Sequence, residues 1–127
     1  MTIIFDTNPF LRLLLNDLPK QADEVEKIIT KAKGAEITII VPQIVIFEIH
    51  FALDKYYKLK KSEIINKLEL VINADYINLQ DKNIFREAIS LYKQYNLDLV
   101  DCFLLAKAQL ENAQIFTFDK EIQKIKI

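Results

Sequence analysis

Five carboxylates in this 127-residue chain stand where they could do chemistry: Asp6, Glu48, Asp98, Asp101 and Asp119. Asp6 follows the apolar run Thr2-Ile3-Ile4-Phe5 and precedes Thr7-Asn8-Pro9. Asn8 suits a helix N-cap and Pro9 a first helical position, so the chain turns from strand to helix directly after Asp6. That places Asp6 at the carboxyl end of a central strand, the edge where open parallel sheets bind ligands. A plain capping role for Asp6 is the alternative. Glu48 lies within Ile44, Val45, Ile46, Phe47, Ile49, Phe51, Ala52 and Leu53. An unpaired carboxylate among such neighbours is costly, so it must meet a cation, a metal or a wet cleft, unless it forms a structural ion pair. His50, with no second His or Cys at zinc spacing, reads as a partly exposed helix residue. Asp98 and Asp101, three residues apart at a helix start, lie on the same side. Asp98 has an ordinary explanation as N-cap. Asp101 has none, because it stands one turn inside a helix that is otherwise almost all apolar. Asp119 follows Gln114-Ile115-Phe116-Thr117-Phe118 much as Asp6 follows the first strand.

Carboxylates brought together repel one another, and without a counterion only protonation relieves them. A divalent metal is the natural occupant of such a nest, and oxygen-only ligands favour Mg²⁺ or Mn²⁺ over zinc or copper. Hard-metal carboxylate sites serve phosphoryl chemistry by activating a water and offsetting charge on the leaving oxygen. No phosphate-binding loop competes with this reading, since a single glycine could build neither a Gly-x-Gly-x-x-Gly turn nor a Walker loop.

The elements that must position these acids read as strands alternating with helices. A helix over Gln21–Lys33 is predicted from Ala22, Val25, Ile28, Ile29 and Ala32, closed by Gly34 in a left-handed cap. A buried strand, Ile37–Val41, follows. Then come a helix over Gln43–Leu59, a helix capped by Ser62, an edge strand over Asp75–Leu79 and a helix capped by Asp81. The Asp98 helix, a strand over Gln114–Phe118, and a short helix or strand carrying Ile122, Ile125 and Ile127 complete the chain. Connections of this length imply a parallel sheet with both faces covered, hence a three-layer α/β/α domain with four or five strands. Right-handed crossovers bring the carboxyl ends of the strands, and the acids on them, to one edge.

Composition sets the bounds. The length suits a single domain spanning 1–127. Apolar residues make up 51%, and the apolar runs are broken well short of a membrane span. A soluble, cytoplasmic protein is expected, with no signal peptide. The single Cys102 suits that compartment and reads as a buried small hydrophobe. A net charge of −1 and a pI near 5.8 exclude a protein that holds nucleic acid by bulk electrostatics. Exposed aromatics at Phe51, Tyr56 and Tyr57 suggest a partner surface.

Four motifs in order resemble the PIN-domain family, and within it the VapC-type ribonuclease toxins. They are Ile4-Phe5-Asp6-Thr7-Asn8, Phe47-Glu48, Leu97-Asp98-Leu99-Val100-Asp101 before an apolar helix, and Thr117-Phe118-Asp119-Lys120. The resemblance covers the whole chain and implies a Mg²⁺- or Mn²⁺-dependent endoribonuclease acting on single-stranded or looped RNA. It assigns metal binding to Asp6, Glu48, Asp101 and Asp119, with Asp98 as an auxiliary acid. Thr7, Asn8 and Thr117 fall where the family places polar residues that orient the acids or their water. A homodimer and a small antitoxin are the implied partners. Cys102 departs from the Ala common after the helix Asp, a change that should be tolerated. Two other classes fit less well. A haloacid-dehalogenase-type phosphatase also begins with a strand-end Asp but needs a second Asp at the position of Asn8. A non-catalytic RNA-binding PIN-like module usually lacks one or more of the acids, and none is lost here.

Overall fold

Three short strands form where the early apolar runs predict them: β1 (Thr2–Ile4), β2 (Thr38–Val41) and β3 (Ile77–Leu79). They pair in parallel in the order β1-β2-β3. The structure, a computed structural model, describes residues 1–125 and divides into a unit of Met1–Gln80 and a second beginning at Asp81. In the first unit the register sets Ile3 beside Ile39 and Ile39 beside Ile77. These residues share a sheet face with Val41 and Leu79, and on β2 and β3 that face is buried. The other face carries Ile4, Ile40 and Asn78, and Ile4 is 68% exposed. Strand order accounts for the asymmetry. Right-handed crossovers that step in one direction across a sheet lay their helices on the same face. The chain steps from β1 to β2 to β3 in that way, so the helices that connect these strands within the first unit belong to one face of the sheet.

The sheet also has three strands among the described residues, not four or five, and β2 is its centre while β1 lies at its edge. The difference is Gln114–Phe118, which has no regular secondary structure. Two oxygens of Thr117 within it are bonded locally. The Thr117 carbonyl accepts from Gln123 Nε2 at 2.8 Å, and Thr117 Oγ1 accepts from the Asp119 N–H at 3.0 Å. A strand is made by its neighbour, and the alternating Ile-Phe-Thr-Phe pattern does not supply one.

Helix α1 (Thr7–Leu15) starts two residues earlier than its sequence signals suggest, with Asp6 rather than Asn8 at the N-cap position. Pro9 is then the third helical residue, still within the first turn, where no intrahelical partner for its missing N–H is needed. The buried Arg12 on α1 donates from Nη2 to the Tyr57 hydroxyl at 3.3 Å and pairs through Nη1 with Asp17 at 3.4 Å. Helix α2 (Pro19–Lys33) ends at Gly34, but the left-handed residue is Ala35, with φ of 62°, while Gly34 has φ of −83°. The expected glycine cap is thus displaced by one residue.

Helix α3 (Gln43–Phe51) runs into a π-helical turn, Ala52–Tyr56, closed by the Tyr57 N–H donating to the Ala52 carbonyl at 3.0 Å. Its buried side holds Val45, Ile46, Ile49 and His50. Ile44, Glu48 and Phe51, at i, i+4 and i+7, form an exposed stripe. Two expectations change here. Glu48 faces solvent and needs no partner to offset desolvation, and His50 is buried, not partly exposed. Helix α4 (Lys61–Ile72) buries Ile64, Ile65, Leu68, Val71 and Ile72, the stripe its periodicity predicts, with Lys60 in place of Ser62 at the N-cap position.

In the second unit, α5 (Lys82–Gln94) packs against α6 (Leu99–Leu110), with the Phe85 and Phe103 rings 4.9 Å apart. Leu99, Cys102 and Ala106 are fully buried on α6, so Cys102 is the small core residue its neighbours imply. Asp81 occupies the N-cap position of α5 without a side-chain capping bond. Helix α7 (Lys120–Gln123) buries Ile122, Ile125 is partly buried, and Ile127 lies outside the described residues. An α/β fold with a parallel sheet therefore stands, with fewer strands than expected.

Candidate active site

In the first unit, the β1 pairing continues through Phe5, whose N–H donates to the Ile40 carbonyl at 3.0 Å, so Asp6 is the first residue past the paired strand. Asp6 holds the N-cap position of α1, yet its side chain makes no capping hydrogen bond. The capping alternative therefore leaves its carboxylate unexplained, and the group is solvent-facing. Beside it, Thr7 Oγ1 is buried without a hydrogen-bond partner, a position that costs free energy unless the hydroxyl serves something nearby. Asn8 and Glu48 are exposed, Asn8 on the first turn of α1 and Glu48 on the outward stripe of α3.

The second unit brings Asp98 and Asp119 within electrostatic reach of Asp101. Asp98 caps α6, its carboxylate accepting from the Leu99 N–H at 2.8 Å. Asp119 caps α7, accepting from the N–H groups of Glu121 at 2.8 Å and Ile122 at 3.3 Å. Asp101 lies in the first turn of α6, partly buried. Burial, followed by the negative charges of Asp98 and Asp119, pushes the Asp101 carboxyl above the ordinary aspartate range. Asp98 and Asp101 thus share one side, as their spacing requires, and Asp119 joins them.

An acid whose folded-state pKa is raised makes the folded state bind the extra proton. Its stabilising contribution is complete below the unfolded pKa and is lost as pH rises through the folded one. Asp101→Asn, neutral throughout, escapes that loss. In EDTA the variant's melting temperature is expected to gain on wild type as pH rises above the ordinary aspartate pKa of about 4. A difference that stays constant with pH would remove Asp101 from the charge cluster.

The donor chemistry suits a hard divalent cation, since every candidate ligand is a carboxylate and the repulsion felt by Asp101 is what a cation offsets. Among the described residues, no group of three or more Asp, Glu, His or Cys side chains is arranged to hold a metal ion. Mg²⁺ binds through one or two carboxylates and keeps several waters, so acids taken in pairs suffice for it. The large cavity of the first unit, about 800 Å³ and lined by Phe10, Ile29, Lys33, Leu70 and Tyr76 among others, includes none of these acids.

Sequence reasoning missed one feature of this region. Phe116 and Phe118, which flank Thr117 just before Asp119, are 90% and 85% exposed. Their types suggest a buried strand, and no local signal marks them as outward-facing.

Comparison with known proteins adds a family. The chain is 25% identical over 123 residues to a protein of Aquifex aeolicus (strain VF5) named VapC ribonuclease, an alignment covering 96% of this chain and 90% of that one. It also matches the PIN domain over residues 3–127, which takes in every acid described above. From the strand-end Asp6 to the capping Asp119, the chain belongs to the PIN domain family.

Proposed function

We propose that this protein is a metal-dependent endoribonuclease, hydrolysing phosphodiester bonds in RNA, and that it is the toxin of a toxin–antitoxin pair. The observation that carries the reading is the charge crowding at Asp101, caused by burial and by Asp98 and Asp119 within a chain of the PIN domain family. The name VapC ribonuclease of a similar protein supports the choice of RNA as substrate and of a toxin as the role. In this reading residues 1–127 work as one nuclease domain. Asp6, Glu48, Asp98, Asp101 and Asp119 bind Mg²⁺ or Mn²⁺, which when bound supplies an activated water and charge for the leaving oxygen. Thr7, Asn8 and Thr117 orient the acids. Thr117 does so for Asp119 through the bond from the Asp119 N–H to its Oγ1, and Thr7 through its otherwise unused hydroxyl beside Asp6.

The partners of the reading are a second copy of the chain and a small antitoxin. Ile44, Phe51 and Tyr56 are more than half exposed in the first unit, and Phe51 and Tyr56 stack edge-to-face at 5.9 Å. Such a surface fits a protein interface. Among the described residues no helix is long and apolar enough to cross a membrane. The reading places the protein in the cytoplasm. Mass in solution and copurification with the product of the adjacent reading frame test the partners.

Purified protein with Mn²⁺ is expected to cut a structured RNA internally, and EDTA to stop it, with activity returning when Mn²⁺ is restored. Cleavage that continues in EDTA, or activity confined to small phosphate monoesters, would refute the reading.

A further inference from the structure

Charge is distributed unevenly along the first unit. Segment 55–61, Lys-Tyr-Tyr-Lys-Leu-Lys-Lys, carries four of the seventeen basic residues and no acid, in a chain whose net charge is −1. All four lysines are exposed. Lysine is almost never fully buried unless it is paired, so a segment this rich in it faces water whatever packs nearby. Lys55 lies 3.6 Å from Asp54, an exposed pair of a kind that adds little. Helix stability does not explain the rest. Lys60 holds the N-cap position of α4 and Lys61 begins its first turn, where cations oppose the helix dipole. The backbone beneath the lysines is nevertheless fixed. The Tyr57 N–H donates to the Ala52 carbonyl and the Leu59 N–H to the carbonyl of the fully buried Leu53, both at 3.0 Å, while Arg12 Nη2 holds the Tyr57 hydroxyl. Lys58 lies between them in the left-handed region, with φ of 52°, an uncommon conformation for a side chain of its length.

We propose that segment 55–61 is the surface that holds the phosphate backbone of the RNA strand leading to Glu48. The proposal rests on the ribonuclease reading, in which Glu48 binds metal. Glu48 and Phe51 share the exposed stripe of α3, and the Phe51 ring meets that of Tyr56 at 5.9 Å, so the acid and the lysines lie along one continuous surface of the first unit. Lys55 follows Glu48 by seven residues, which is about 10 Å along a helix axis. A net negative protein can hold a polyanion only where its cations are gathered, and lysines supply point charges that do so without reading sequence. Lysine is also depleted in the cores of protein interfaces, which sets this segment apart from the apolar stripe beside it.

The test compares wild type with K55Q/K58Q/K60Q and with K20Q/K27Q/K31Q, which removes the same charge from exposed positions on α2. Kd for a fluorescein-labelled oligouridylate is read by anisotropy in EDTA over a range of salt, and KM and kcat are read for its cleavage in Mn²⁺. K55Q/K58Q/K60Q is expected to bind about tenfold more weakly or worse at about 0.1 M salt, with a slope of log Kd against log salt smaller by about two. The α2 variant is expected to match wild type within about twofold, because its lysines lie off the path of the strand. In cleavage the loss should fall on KM and spare kcat, since the segment holds the strand away from the reacting bond. Equal losses in the two variants would overturn the proposal and leave net charge as the cause. Absence of binding by wild type would overturn it as well. If wild type binds, the contrast holds and no RNA is cut in Mn²⁺, the segment stands and the ribonuclease reading fails. If wild type cuts RNA and K55Q/K58Q/K60Q matches it in both Kd and KM, the reading stands and the proposal fails, which assigns the lysines to an acidic protein partner.

Discussion

Asp101→Asn is expected to lower the RNA cleavage rate in Mn²⁺ by about 10²- to 10³-fold, the scale on which loss of one preorganised charged contact acts. The fold should survive, because the substitution is nearly isosteric and the carboxylate it removes is repelled by Asp98 and Asp119. Asn keeps an oxygen but loses the charge that a hard cation requires. Two measurements on one preparation separate the possibilities: single-turnover cleavage with Mn²⁺, and melting in EDTA. A variant that cleaves normally but melts at a lower temperature would make Asp101 a structural acid with no part in the chemistry.

Phe85→Ala is expected to cost about 3–5 kcal/mol of folding stability, the range for removing a fully buried aromatic ring. Phe85 has no exposed surface and its ring lies against Phe103, tilted by 47°. Helices α5 and α6 carry the packing of the second unit, so the cavity would open in the layer that sets where α6 begins, and with it Asp98 and Asp101. That loss is a large part of the total stability of an ordinary domain. Urea unfolding followed by circular dichroism measures it, with an unchanged slope if both states keep their compactness. A change below about 1 kcal/mol would mean that the site collapses around the missing ring, contrary to the packing described.

Features set by local chemistry were legible in the sequence. The strand-end position of Asp6, the capping role of Asp98, the place of Asp101 in the first turn of α6 and the buried stripes of α4 and α5 follow from capping preferences and a 3.6-residue period. The exposure of Phe51, Tyr56 and Tyr57 was also foreseen. Features that depend on a neighbour were not. Gln114–Phe118 has strand composition, but a strand needs a ladder, and local bonds to Thr117 took its place. Helix α3 is apolar on nearly every side, so composition could not say which stripe faces out. The structure turns Glu48 outward and His50 inward. Gly34 marked the end of α2 correctly, while the left-handed conformation fell to Ala35, which glycine's general preference could not foretell.

The π-helical turn after α3 links chain length to surface character. On an ordinary helix, side chains three or four residues apart are neighbours. Phe51 and Tyr56 are five apart, and their rings meet because the turn closes with an i-to-i+5 bond from the Tyr57 N–H to the Ala52 carbonyl. On a regular helix a spacing of five would put the two rings on different faces, and the π-helical turn is what brings them together. One residue fewer between them would let the segment close as a regular turn with the rings four apart and still neighbours. A single-codon deletion between Phe51 and Tyr56 would therefore remove the π-helical turn and keep the aromatic pair, whereas replacing either ring would remove the pair and keep the turn.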